Sequence, residues 1–136
     1  MSDPGTDFAH TPRRRRSNEF WLAPSSLRAD ADQEPPDFPV GWTELADALD
    51  RVLKEEPRLE LRHSSADNHR KLFVQRSKLF RFPDRITVEF IPRSDTSSTL
   101  AIHSASVFGL RDYGVNRERV RRWLNNLERE IGRETS

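Results

Sequence analysis

Leu45, Ala48, Leu49, Val52 and Leu53 recur at i, i+3, i+4, i+7 and i+8, the spacing that lines one side of an α-helix. Thr43 ahead of this stripe predicts an N-cap, with Glu44 and Asp47 favourably placed against the helix dipole. Pro57 prevents the helix from continuing. The period then drops to two. Leu59, Leu61 and His63 alternate with Glu60 and Arg62, and Lys71 to Phe80, carrying Phe73, Val74, Leu79 and Phe80, predicts the next strand. Ile86, Val88 and Phe90 point one way, Thr87 and Glu89 the other. In a fourth strand, Thr99 to Val107, Leu100, Ile102, Ser104 and Ser106 share one face, while Ala101, His103, Ala105 and Val107 share the opposite one. Polar turns at 64–68 and 94–98, and the Arg81-Phe82-Pro83-Asp84 link, are short. Short links make neighbouring strands antiparallel, because parallel strands need long crossovers. A second helical stripe follows: Val120, Trp123, Leu124, Leu127 and Ile131, with Asn116 as the expected N-cap, Val115 stapling to Val120, and Gly132 as the stop.

This order, α-β-β-β-β-α, predicts an α+β fold: a two-layer sandwich in which two helices lie on one face of a four-stranded antiparallel sheet. Phe73, Phe80, Phe90 and Trp123 are the expected aromatic core. Residues 1–39 read as a flexible Pro/Arg-rich arm, 40–132 as a single domain and 133–136 as a tail. The arm holds six of the nine prolines and lacks sustained periodicity, so it buries too little apolar surface to offset backbone ordering. Within it, residues 18–24 contain the apolar knot Phe20-Trp21-Leu22, which is expected to dock on the arm's own domain rather than on a partner. With both helices on one side, the reverse sheet face is expected to be bare. Thr87, Glu89, Ala101 and His103 then form a candidate partner face.

Composition narrows the function. The chain has 136 residues, a net charge of +1 and no cysteine, which excludes disulfides, thiol nucleophiles and thiolate metal sites together. No apolar run is long enough to cross a membrane, and no apolar stretch follows Arg13 to Arg16 as a secretory signal would require, so a cytoplasmic protein is expected. The four arginines are locally basic, but residues 1–41 carry five arginines against seven acids. Nucleic-acid binding needs a sustained basic surface and is disfavoured. Docking to an anionic membrane surface ranks equally low; a protein partner or a small anionic ligand fits better. Histidines 10, 63, 69 and 103 show no metal-binding spacing on a helix. His63 and His69 flank one turn and read as ordinary turn residues. No cofactor is implied.

The punctuated block Gly109-x-x-Asp112-x-Gly114-Val115-Asn116-Arg117-x-Arg119 is the sharpest signal. With Val74-Gln75-Arg76-Ser77, Phe82-Pro83-Asp84 and Ser104-Ala105-Ser106, it resembles the domain-of-unknown-function 1499 family. Asn18-Glu19-Phe20-Trp21-Leu22-Ala23-Pro24 is similar to the segment with which bacterial members enter the domain. The resemblance spans roughly residues 18–130 and implies no established activity. Many members carry a membrane-attaching N-terminal segment, which this sequence does not show. Val107 stands where the family pattern has a basic residue, and Arg111 where it has a small polar one.

Candidate site residues follow from the chemistry of these blocks. Free N–H groups at the start of the last helix, with Arg76, Arg111 and Arg117 nearby, would suit a small anion or carboxylate. The competing reading makes Asp112 and Asn116 turn and cap residues, with Asp112 paired to Arg76 or Arg117. Ser104 and Ser106 sit on an apolar face, where each hydroxyl must be bonded or line a pocket. His103 points to the other face and cannot activate either serine. The candidate ligand-binding set is therefore Arg76, Ser104, Ser106, Arg111, Asp112, Asn116 and Arg117, in a non-enzymatic binding or interaction module. The alternative is a small enzyme whose polar pocket gathers Arg76, Asp84, Ser104, Asp112, Asn116 and Arg117.

Overall fold

The computed structural model describes residues 3–14, 18–108 and 113–135. Its elements are β1 (Glu19–Leu22), α1 (Trp42–Leu53), β2 (Leu59–Ser64), β3 (Arg70–Arg76), β4 (Pro83–Ser94), β5 (Ser97–Ser106) and α2 (Val115–Thr135). The sheet has five strands rather than the expected four, in the order β1-β5-β4-β3-β2, with every neighbouring pair antiparallel. The additional strand is the Phe20-Trp21-Leu22 knot. Three consecutive apolar residues hide the period of two because both faces of β1 are covered. Phe20 and Leu22 face the main core and Trp21 faces the other way.

Both helices pack on one face, as the periodicity predicts. Leu45, Leu49, Val120, Trp123 and Leu127 meet Phe73, Ile86, Val88, Phe90, Leu100 and Ile102 in one continuous core. Helix α1 starts two residues earlier than a Thr43 cap implies. Gly41 is its N-cap, without a side-chain bond, and a Cβ there would come within 2.8 Å of the Asp95 carbonyl oxygen. Helix α2 likewise begins before Asn116, at Val115, and continues past Gly132 to Thr135. Strand β3 ends at Arg76 instead of running to Phe80. Ser77 N–H donates to the Phe82 carbonyl, Phe82 N–H donates to the Ser77 hydroxyl, and Arg81 takes a positive φ, so the chain turns out of the sheet. Phe80 is consequently exposed and not part of the core.

The reverse face is not bare, and the N-terminal segment is the reason. Phe8 packs edge-on against Trp21, the Arg28 guanidinium lies 3.6 Å above the Trp21 ring, and Ala23, Leu27, Ala31 and Ala101 complete a second small core. Thr87, Ala101 and His103 are buried beneath this strap. Glu89 lies at its edge, paired with Arg70 at 2.7 Å. The proposed partner face is therefore occupied by the chain itself. Aromatic rings in an otherwise polar segment found their apolar surface on their own sheet.

Candidate functional site

Register places two polar rows at one end of the sheet, under the start of α2. Ser104 is opposite Ile86 and Phe20; one pleat further, Ser106 is opposite Asp84, and Asp84 is opposite Gln75. Directly paired residues share a face, so Ser104, Ser106, Asp84 and Gln75 all point toward the helices. Arg119 descends onto them from α2. Asn116, Arg119 and Trp123 are spaced i, i+3 and i+7, which puts all three on the buried side of the helix.

Arg119 is the hub. Its Nε donates to Gln75 Oε1 at 2.7 Å and its Nη2 to Asp84 Oδ2 at 2.8 Å. Nη1 donates to Asn116 Oδ1 at 2.8 Å and to Ser104 Oγ at 3.0 Å. Ser104 in turn donates to Asn116 Oδ1 at 2.6 Å, and Asn116 Nδ2 donates to the Asn18 carbonyl and to Ser106 Oγ. Gln75 Nε2 continues the chain to Glu56 Oε1 and the Pro57 carbonyl. Glu56 also accepts from Arg122 Nε and Nη2 and from Trp123 Nε1. Burial alone would raise the Glu56 carboxyl, but bonds from Arg122, Gln75 and Trp123 hold it down at about 2. Two cations and two carboxylates balance.

A serine nucleophile needs a base; among the described residues the Ser104 hydroxyl bonds to an amide and a guanidinium, neither of which is one. Surface clefts of about 540 Å³ beside His63 and His69, and about 470 Å³ along Arg117, Arg121 and Arg129, are not lined by Ser104, Asn116 or Arg119. The network ties together β3, β4, β5, α2, the residue ahead of β1 and the segment after α1.

Of the residues singled out from sequence, the structure brings together Ser104, Ser106, Asn116 and Asp84. Asn116 is a network member inside the first turn of α2 rather than a cap. Arg76 lies outside the cluster, donating to the Arg81 carbonyl at 3.1 Å. Arg117 is exposed, its guanidinium 5.7 Å from the Phe20 ring centre. Arg111 and Asp112 lie outside the described residues. Arg119, Gln75 and Glu56 were missing from the sequence-derived set. The spacing of Arg119 with Val120, Trp123 and Leu127 was the available signal, because an arginine beside a buried stripe demands partners.

A second polar group lies under the strap. His103 stacks on Trp21 with ring centres 3.6 Å apart, and its Nε2 meets Glu19 Oε1 at 2.8 Å. Its Nδ1 meets Thr6 Oγ1 at 2.7 Å, and that hydroxyl also accepts from Thr87 and Arg85. With those two donors already on it, the Thr6 hydroxyl gives its own hydrogen to Nδ1. His103 is then neutral, with its proton on Nε2. Burial pushes the imidazole below its ordinary value, against the pull of Glu19. Burial would raise Glu19, but bonds from His103 and the Arg14 N–H bring it to about 2.

Just beyond the Arg119 network, at the same end of the sheet, two loops project apolar side chains into solvent. Leu79 is 79% exposed, Phe80 68% and Tyr113 88%, with Phe82, Val107, Phe108 and Val115 each about half exposed. Phe80 stacks on Phe82 at 5.4 Å, and Phe82 meets Phe108 edge-on at 5.6 Å. The Val107 N–H donates to the Pro83 carbonyl, fastening one loop to the other. Arg76, Lys78 and Arg81 border the first loop and Arg117 the second.

No curated protein and no solved structure matches the chain. Among protein families, the one described as protein of unknown function (DUF1499) matches residues 11–127. That span runs from the strap through β1 and the Arg119 network into α2, and with it covered the chain belongs to the DUF1499 family.

Proposed function

We propose that this protein is a non-enzymatic docking module that engages its partner through the apolar tip formed by residues 77–82 with Val107, Phe108, Tyr113 and Val115. The observation that carries this reading is the linked, exposed rings of Phe80, Phe82 and Phe108, with Leu79, Tyr113 and Val115 also exposed. Scattered surface hydrophobics need no explanation, whereas a contiguous apolar patch marks an interaction surface. The Arg119 network lies directly behind the tip and fixes the strands from which both loops leave. Arg119, Gln75 and Asp84 already bond to one another, which favours a supporting role over catalysis.

A photo-crosslinking residue at position 80, compared with one at exposed position 60 on β2, tests the reading in cells producing the full chain. Adducts with protein or lipid are expected at position 80 and not at position 60. No adduct at position 80, or equal labelling at both, would overturn it.

A further inference from the structure

We infer that the occupant of the tip is an anionic lipid surface, with Leu79, Phe80 and Tyr113 entering the boundary between headgroups and acyl chains. This inference rests on the docking reading above and names its partner. Three features converge on it. First, the patch protrudes: its most prominent side chains are 68–88% exposed, so it is shaped to enter a soft phase rather than to accept a peptide. Second, the border is cationic. The run from Arg76 to Phe82 holds Arg76, Lys78 and Arg81 with no acid, and the next carboxylate, Asp84, is already bonded to Arg119. Third, the backbone of the tip is partly self-satisfied, through the bonds between Ser77 and Phe82 and from Val107 to Pro83. Shallow insertion therefore strands few polar groups.

Distance decides which other cations contribute. Helix α2 leaves the tip at Val115, so Arg121 lies about 9 Å along the axis and Arg129 about 21 Å. Screening at physiological salt acts over about 8 Å, so Arg117 lies within reach of the lipid charge, Arg121 at its limit and Arg129 well beyond it. Glu118 opposes them, but it has Arg122 at 3.9 Å.

The test is flotation of the full chain with phosphatidylcholine vesicles, with and without phosphatidylserine. Binding is expected only with phosphatidylserine and should weaken as salt is raised. Leu79→Ser with Phe80→Ser should lower partitioning roughly tenfold or more. Lys78→Gln and Arg81→Gln should each lower it about fivefold. Phe80→Trp should give a fluorescence blue shift on adding anionic vesicles, a readout that does not depend on the serine variants folding. Failure of the unaltered chain to float at low salt overturns the lipid assignment, as does equal binding to uncharged vesicles. If vesicles fail while position 80 still crosslinks to a protein, the docking reading stands and only the lipid falls. If neither gives a signal, both fall.

Discussion

Phe8 offers the sharpest measure of how far the N-terminal strap belongs to the domain. Its ring is 1% exposed and packs edge-on against Trp21 at 5.9 Å, within a small core completed by Ala23, Ala101, Leu27, Ala31 and Ile91. Truncating a buried phenylalanine to alanine typically costs about 3–5 kcal/mol through lost transfer energy and the cavity left behind. The strap is covalently free to settle toward the sheet, which places Phe8→Ala near the lower figure, about 3 kcal/mol. Unfolding entropy for a chain of this length is roughly 0.29 kcal/mol per kelvin, so the melting temperature should fall by about 10 °C. Differential scanning calorimetry measures this directly, and near-ultraviolet circular dichroism should show the Trp21 environment loosening. A fall of less than about 3 °C would correspond to under 1 kcal/mol. The strap would then be decoration, and the reverse face would be available after all.

Other perturbations separate the roles assigned above. Arg119→Met should destabilise by about 3 kcal/mol in urea titrations because it removes the cation bonded to the largely buried Asp84 carboxylate; adding Asp84→Asn should recover part of that loss. Asn116→Ser should cost about 1–3 kcal/mol, as a broken contact with Arg119 and Ser104 would; a serine that is tolerated without loss would restore Asn116 to the role of helix cap. Acid should lower stability in two stages. The unfolded chain takes up a proton on His103 near its ordinary 6.5 while the folded chain resists, so stability falls as pH drops below that value, and His103→Gln should flatten this limb. Glu19 and Glu56, both held at about 2, contribute fully above 4.5 and lose that contribution as pH falls toward 2.

The elements whose apolar residues recur regularly against polar ones were readable from the chain. Helix α1 and strand β4 are examples: Leu45, Leu49 and Val52 recur at helical spacing, and Ile86, Val88 and Phe90 alternate with Thr87 and Glu89. Strand β1 was not readable, because Phe20, Trp21 and Leu22 are buried on both sides and carry no rhythm at all. Phe80 misled for the opposite reason. Its apolar character and its place beside Leu79 fit a core strand, and only the turn closed by Ser77 and Phe82 sends it outward. At the polar site, Ser104 and Asn116 were found because their sequence blocks stood out. Their partner Arg119 does not stand out among the many charges of α2, since burial of an arginine depends on acceptors brought from β3, β4 and β5.

The pairing of Leu22 with Ile102 joins residues eighty positions apart. At about 5–20 residues per second, a ribosome delivers Ile102 roughly 4–16 seconds after Leu22. Throughout that interval Phe20, Trp21 and Leu22 have no β5 on which to lie. For that interval the nascent polypeptide carries an adhesive hydrophobic stretch with no sheet of its own to cover it.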